Sequence, residues 1–234
     1  EMIHAAGSGH IGGSFSCVEI LTTLYLEKMN FDPNSPQDPG RDRFILSKGH
    51  AAPALYAILG YLGLIQRSEL LSLRKIGSPL QGHPDMNSSP GIEISTGPLG
   101  LGLSVGIGMA LGARLDGESY HTYVLLGDGE IQEGIIWEAA MAASRYKLNN
   151  LTAIVDNNGV QLDGTCEEIM PLDSIEAKFE SFGWHTLTCD GHDIAEIAAA
   201  IERAVSSQDK PSVIIANTVK GKGVTFMEGK SVWH

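Results

Sequence analysis

The chain has 234 residues, 43% of them hydrophobic, and its 16 basic and 28 acidic side chains leave a net charge of −12. That length can bury a sizeable core and suits one large α/β domain better than two small ones, while the acidic balance argues against nonspecific binding to nucleic acid or anionic membrane. No apolar run approaches the roughly 18 residues of a membrane span, and Cys17, Cys166 and Cys189 form no CxxC pair, so they read as inert thiols of a reducing cytoplasm.

The opening "EMIHAAGSGH" reads as the end of a helix. Ser16-Cys17-Val18-Glu19 has the form of a capping box, and Val18, Leu21, Tyr25 and Met29 follow at helical spacing, which predicts a helix over about 14–30. A proline-rich loop leads to "FILS", a short buried strand, then to Lys48-Gly49-His50 and a helix over about 51–63. The stretch "GSPLQGHPDMNSSPGIEISTGPLGLG" is too rich in Gly, Pro and Ser to be regular, and a loop of that length in a compact domain is usually functional.

From residue 102 the pattern becomes regular: helix to about 115, strand 122–127, helix 132–146, strand 151–156, helix 174–182, strand 184–189, helix 193–206 and strand 212–219. Runs such as "LTAIV" and "SVIIA" are apolar without alternation, as in strands buried on both faces. The expected fold is therefore α/β, three layers deep, with a mostly parallel sheet covered by helices on both faces.

Ligands of such sheets bind beyond the carboxyl ends of the strands. Asp128, in "GDG", and Asn158, in "DNN", stand at two successive strand ends. Both are hard oxygen donors, and the backbone carbonyl of Val160 adds a third, a set suited to Mg²⁺ bridging to phosphate. Gly127 and Gly129 permit close backbone approach, and "STGPLGLG" places glycines before a helix, where free N–H groups favour an anion. Each turn alone is ordinary punctuation, but their pairing across one β-α-β unit points to a metal-bridged diphosphate.

The stretch Gly127 to Asn158 resembles the thiamine-diphosphate motif, which begins GDG and ends NN. His10 in "SGHIGG", His50 in "SKGH", His83 in "QGHPD" and His234 in "SVWH" resemble the histidines of the transketolase family, as do "STGPLGLG", "FGWH", "DGHD" and "TVKGKG". The resemblance covers essentially the whole chain and implies a diphosphate-binding domain of that cofactor fold over residues 1–234.

It also implies transfer of a two-carbon ketol unit between a ketose phosphate and an aldose phosphate, with thiamine diphosphate and Mg²⁺, Ca²⁺ or Mn²⁺ being substitutes. His10, His50, His83 and His234 are then the expected catalytic residues. Lys48, His50, Gly97, Pro98, Leu99, Gly127, Asp128, Gly129, Glu130, Asn158, Lys220 and His234 are the expected cofactor contacts. Asp128, Asn158 and Val160 are the expected metal ligands, and Glu133 and Glu138 the expected carboxylates of a subunit interface. His4, His121, His185 and His192 receive no catalytic role.

In the family a glutamate on a second, pyrimidine-binding domain activates the cofactor. Only eleven residues follow "TVKGKG", too few for such a domain. Either the sequence is part of a longer chain or the domain belongs to a partner subunit. Ile11, where many single-chain members have proline, resembles the short two-gene enzymes and favours the partner, with an α2β2 assembly in the cytoplasm. Competing readings are a 1-deoxyxylulose-5-phosphate synthase-like enzyme, a transketolase of an unusual sugar, and a non-catalytic module that keeps the fold. A dinucleotide-binding protein lacks its GxGxxG fingerprint.

Overall fold

The computed structural model describes residues 1–234. Five strands, β1 (Arg43–Leu46), β2 (Thr122–Gly127), β3 (Leu151–Asn157), β4 (His185–Asp190) and β5 (Ser212–Asn217), pair in the order β1-β2-β3-β5-β4. Every pairing is parallel. Because β5 lies between β3 and β4, the chain crosses to the far edge after β3 and then returns, which brings the ends of β3 and β5 side by side.

Nine α-helices accompany the sheet: α1 (Met2–Ala6), α2 (Ile11–Phe15), α3 (Val18–Thr23), α4 (Ala52–Tyr61), α5 (Leu101–Asp116), α6 (Gly134–Arg145), α7 (Cys166–Ile169), α8 (Ile175–Ser181) and α9 (Ile194–Val205). The unbroken apolar strands have the expected consequence. Phe44, Leu46, Tyr123, Leu125, Ile154 and Ile214 pack against α3, α4 and α9 on one face. Ile45, Val124, Leu126, Val155, Val213 and Ile215 pack against α5, α6 and α8 on the other. Burial on both sides leaves β1, β2, β3 and β5 almost without a polar face, the signature of a parallel sheet inside a three-layer sandwich, while the edge strand β4 alternates.

One predicted element is corrected. The helix expected over 14–30 is three pieces: α2, α3 and a wide turn, Leu24–Lys28, in which the Met29 N–H donates to the Leu24 carbonyl at 2.8 Å. The break has an identifiable cause. Ser16 makes no capping bond; its hydroxyl donates inward, to the Gly13 carbonyl at 3.1 Å and to Asp156 at 2.5 Å. With its side chain turned to that buried carboxylate, Ser16 is not the cap of α3, whose N-cap position is Cys17. True side-chain caps stand at Thr165, Ser174 and Asp193.

The long segment between Ser72 and Leu101 holds no helix or strand, as expected. It is pinned by a buried ion pair from Arg41 to Glu93. All three cysteines are free and buried, and no helix is long and apolar enough to cross a membrane.

Candidate active site

The carboxyl ends of β1, β2, β3 and β5 deliver Lys48, Asp128, Asn158 and Lys220 to one cavity of about 190 Å³. Gly13, His50, Leu99 and His234 complete much of its wall. A larger cavity, about 460 Å³, lies between α1, α2 and α4. Its wall is mostly apolar, including Met2, Ile3, Ile11, Phe15, Ala54 and Leu70, and no set of oxygen donors and histidines converges there. The smaller cavity is where chemistry is concentrated.

Asp128 is buried at the end of β2, and its two carboxylate oxygens accept from the backbone N–H groups of Gly129 at 2.8 Å and Gly159 at 2.5 Å. Burial, reinforced by the nearby Asp156 carboxylate, raises its pKa. A cation beside it would relieve that cost. Asn158 Oδ1 accepts from the Val160 N–H at 3.1 Å, and the Val160 carbonyl accepts from Lys220 Nζ at 2.9 Å. No cluster of three His, Cys, Asp or Glu side chains suitable for a metal exists in the chain. The set present, one carboxylate, one amide oxygen and one backbone carbonyl, instead fits a hard ion such as Mg²⁺ that takes its remaining ligands from phosphate and water.

Three of the four histidines form one cluster. The rings of His10, His50 and His234 lie with centroids 5.3, 5.0 and 5.3 Å apart. Burial lowers the pKa of His10, helped by the Arg74 guanidinium; burial and Lys48 push His50 down to about 2; burial and Lys220 push His234 down to about 4. All three are neutral at pH 7, so each ring offers one N–H and one lone pair rather than a fixed charge. Nδ1 of His10 is buried without a partner. His83 stands apart from the cluster, packed over Gly97, and its pKa is lowered by burial and by Arg74.

Glycines make this closeness possible. A Cβ on Gly13 would lie 3.2 Å from His50 Nε2, and one on Gly12 would lie 2.5 Å from the Trp233 carbonyl oxygen. Gly97 has φ +148, a conformation rare for any other residue, where it turns the loop under His83. Pro98 and Leu99 follow, both exposed. Thr96 Oγ1, just before them, is a second buried polar atom without a partner.

The two lysines differ. Both are 1% exposed and both line the cavity, but the Lys48 ammonium donates to the Asp156 carboxylate and, at 3.0 Å, to the Gly13 carbonyl. Burial opposes its charge, but Asp156 keeps its pKa above the usual lysine range. Lys220 has no carboxylate partner; it donates to Val160 O and lies 2.6 Å from His234 Nδ1. Burial and Lys48 lower its pKa to about 8. Of the two, Lys220 is the cation that an incoming anion would meet.

Glu130 also turns inward. Its carboxylate accepts from the N–H groups of Gly100 at 2.8 Å and Gly127 at 3.0 Å and from the Ser47 hydroxyl, tying the 95–102 loop to the end of β2. Glu133 and Glu138 are exposed, at the start of α6 and one turn into it. His192, which receives no role from the sequence, has a structural one. Its Nε2 accepts from the Val219 N–H at 2.8 Å, which leaves Nδ1 to donate to Glu19 at 3.2 Å, so it anchors the residue beside Lys220. Sequence reasoning missed Asp156, Ser16 and Thr218. Their only signal was position: Asp156 opens "DNN", Thr218 opens "TVKGKG", and Ser16, with the form of a cap, follows "SGHIGG".

Comparison with known proteins gives a consistent result. Residues 1–234 match the family described as "Transketolase, thiamine diphosphate binding domain". The chain is 47% identical, over its full length and 83% of the relative's, to a subunit of the apulose-4-phosphate transketolase of Phocaeicola vulgatus. It is equally similar to the 6-deoxy-6-sulfo-D-fructose transketolase subunit SqwG of a Clostridium species, of which it spans 85%. It is 44% identical over 231 residues to human transketolase, spanning 98% of this chain but 36% of that protein. Among solved structures, the transketolase of Campylobacter jejuni superposes on all of this chain with a TM-score of 0.93 at 34% identity, the match covering 38% of that protein.

Proposed function

We propose that this chain, which belongs to the transketolase family and carries its thiamine-diphosphate-binding domain, is the diphosphate-binding subunit of a split transketolase that moves a two-carbon ketol unit from a ketose phosphate to an aldose phosphate. The observation that carries this reading is the meeting, in one cavity, of the oxygen set Asp128, Asn158 and Val160 with neutral histidines.

Thiamine diphosphate, when bound, supplies the electron sink for breaking and making the carbon–carbon bond next to a ketose carbonyl. The protein's own groups do the rest. Asp128, Asn158 and the Val160 carbonyl would hold Mg²⁺, with the backbone around Gly127 and Gly129 and the Lys220 ammonium facing diphosphate. Gly97, Pro98 and Leu99 would pack on the cofactor, and Glu130 would brace that loop. His234 and His83 would exchange protons and hydrogen bonds with substrate oxygens, His10 would stand beside the reacting carbon, and His50 near the donor. Neutral imidazoles suit this work because each can accept a proton and return it at neutral pH.

Activation of the cofactor needs a glutamate on a pyrimidine-binding domain, which this reading assigns to a partner subunit in an α2β2 cytoplasmic enzyme. The names of the subunit relatives, and the chain's span of 83–85% of them against 36% of human transketolase, support that assignment. Glu133 and Glu138 would then lie at the subunit interface. A narrower reading, transfer from an uncommon ketose, is favoured by those same relatives, whose names specify apulose-4-phosphate and 6-deoxy-6-sulfo-D-fructose.

The test is calorimetric titration of thiamine diphosphate into the assembled enzyme, with Mg²⁺ and with a chelator, followed by ketol-transfer assays over a panel of ketoses. Asp128→Ala is expected to abolish the Mg²⁺-dependent binding. Normal binding by that variant would overturn the ligand assignment, and a loaded enzyme inert toward every ketose would overturn the reaction.

A further inference from the structure

We infer that Asp156, which does not line the cavity, is the positioning residue that sets the histidine wall against the metal ligands; this rests on the function proposed above. Asp156 is the penultimate residue of β3 and is 0% exposed. Its side chain gathers three other elements. Oδ2 accepts from the Ser16 hydroxyl at 2.5 Å and from the Lys48 ammonium, and Oδ1 accepts from the Thr218 hydroxyl. Its backbone carbonyl takes the N–H of Asp128 at 3.3 Å.

Each arm ends on a different part of the site. Through Ser16 and Lys48, the latter also holding the Gly13 carbonyl, the carboxylate fixes the 10–16 segment. Gly13 of that segment leaves His50 its space, since a Cβ there would lie 3.2 Å from His50 Nε2, and His10 precedes it. Lys48 itself stands two residues before His50 at the end of β1. Through Thr218 the same carboxylate holds the end of β5, two residues before Lys220, whose ammonium touches His234. The backbone bond to Asp128 references all of this to the first expected metal ligand. One side chain therefore sets the relative positions of three histidines, a lysine and a metal ligand that come from the ends of β1, β2 and β5, the start of α2 and the last turn of the chain.

The physical reason for a carboxylate is the number of donors. Two hydroxyls and an ammonium from three elements converge on one point, and only an ionised carboxylate accepts from all of them without offering a donor in return. Its charge is matched locally by Lys48, so it adds no net charge beneath an anionic cofactor.

Because Asp156→Asn alone would leave the Lys48 ammonium buried without a counterion, it is expected to fold poorly. The test uses Ser16→Ala and Thr218→Val, each removing one uncharged arm, and Asp156→Asn/Lys48→Met, which removes both charges together. Lys28→Met, breaking an exposed pair with Glu202, is the control. The first readout is the ¹³C-histidine NMR spectrum of the cofactor-free chain. Signals of His10, His50 and His234 are expected to move in the three variants, with His121 unmoved and all signals unmoved in the control.

The second readout is steady-state kinetics of the assembled enzyme. The double variant is expected to lose about 10- to 100-fold in kcat, with KM for both sugars within about threefold of wild type, the pattern of misplacement rather than lost binding. Unmoved histidine signals with full kcat would overturn the inference, as would a kcat loss that merely follows the fraction of unfolded protein. If the wild-type assembly transfers no ketol unit, the functional reading fails, and the histidine spectra alone decide whether Asp156 sets the wall.

Discussion

Gly12→Ala should separate site geometry from fold stability. An added Cβ would sit 2.5 Å from the Trp233 carbonyl oxygen, 3.0 Å from Lys220 Cγ and 3.3 Å from Lys220 Cε. The lysine stem can give slightly, but the carbonyl is backbone and must retreat by about 0.9 Å to reach an ordinary contact near 3.4 Å. That carbonyl belongs to the peptide whose nitrogen is His234, so the histidine travels with it. Gly12 cannot yield instead, because its own carbonyl accepts from the Gly221 N–H at 3.0 Å.

Overpacking of this kind costs about 1–3 kcal/mol, while a shift of about 1 Å at a catalytic group costs on the order of 100-fold in rate. For a domain of this size the melting temperature should fall by only about 2–12 °C. The assay pairs thermal unfolding of the chain with kcat of the assembled enzyme. Gly112→Ala, on α5 where the nearest atom is 3.9 Å away, is the control and should be neutral or slightly stabilising. A Gly12→Ala enzyme with wild-type kcat would refute the claim that the 231–234 segment is held against this glycine.

Three further outcomes are expected. His121, at the amino end of β2, has its pKa lowered by burial to about 4, so the unfolded chain binds its proton first as pH falls. The stability contributed by the neutral ring is complete above pH 6.5 and is lost between about 6.5 and 4, by about 3 kcal/mol in all; melting temperature against pH should lose that limb in His121→Asn, and an unchanged slope would refute it. Glu130→Gln replaces an acceptor of three bonds by a group half of which donates, and should cost about 1–3 kcal/mol and loosen the 95–102 loop, read by urea unfolding and by amide exchange at Gly100. Asp193→Ala removes the carboxylate that accepts from the Ala195 and Glu196 N–H groups, so α9 should lose about 0.5–2 kcal/mol by the same unfolding assay, with the histidine spectrum untouched.

The sequence by itself determined the sheet and the ends of its strands. Unbroken apolar runs fit strands covered on both faces, and the Gly-Asp-Gly and Asp-Asn-Asn turns mark where they end, so β2, β3 and the places of Asp128 and Asn158 were legible from local pattern. His10, His50 and His83 were legible as candidates because each stands next to glycine, a local property, and His234 through the resemblance of "SVWH". What only the tertiary structure decided is which side chains meet. Lys48 and Lys220 look alike in sequence, yet in the fold Lys48 is paired with Asp156 while Lys220 meets only backbone carbonyls and His234. Ser16 looks like a helix cap and is instead a donor to a carboxylate 140 positions away. Capping, periodicity and turn chemistry act within a few residues and are written along the chain. Hydrogen bonds between strand ends depend on how the sheet is ordered, and Asp156 acquires its three partners only when three remote segments have closed upon it.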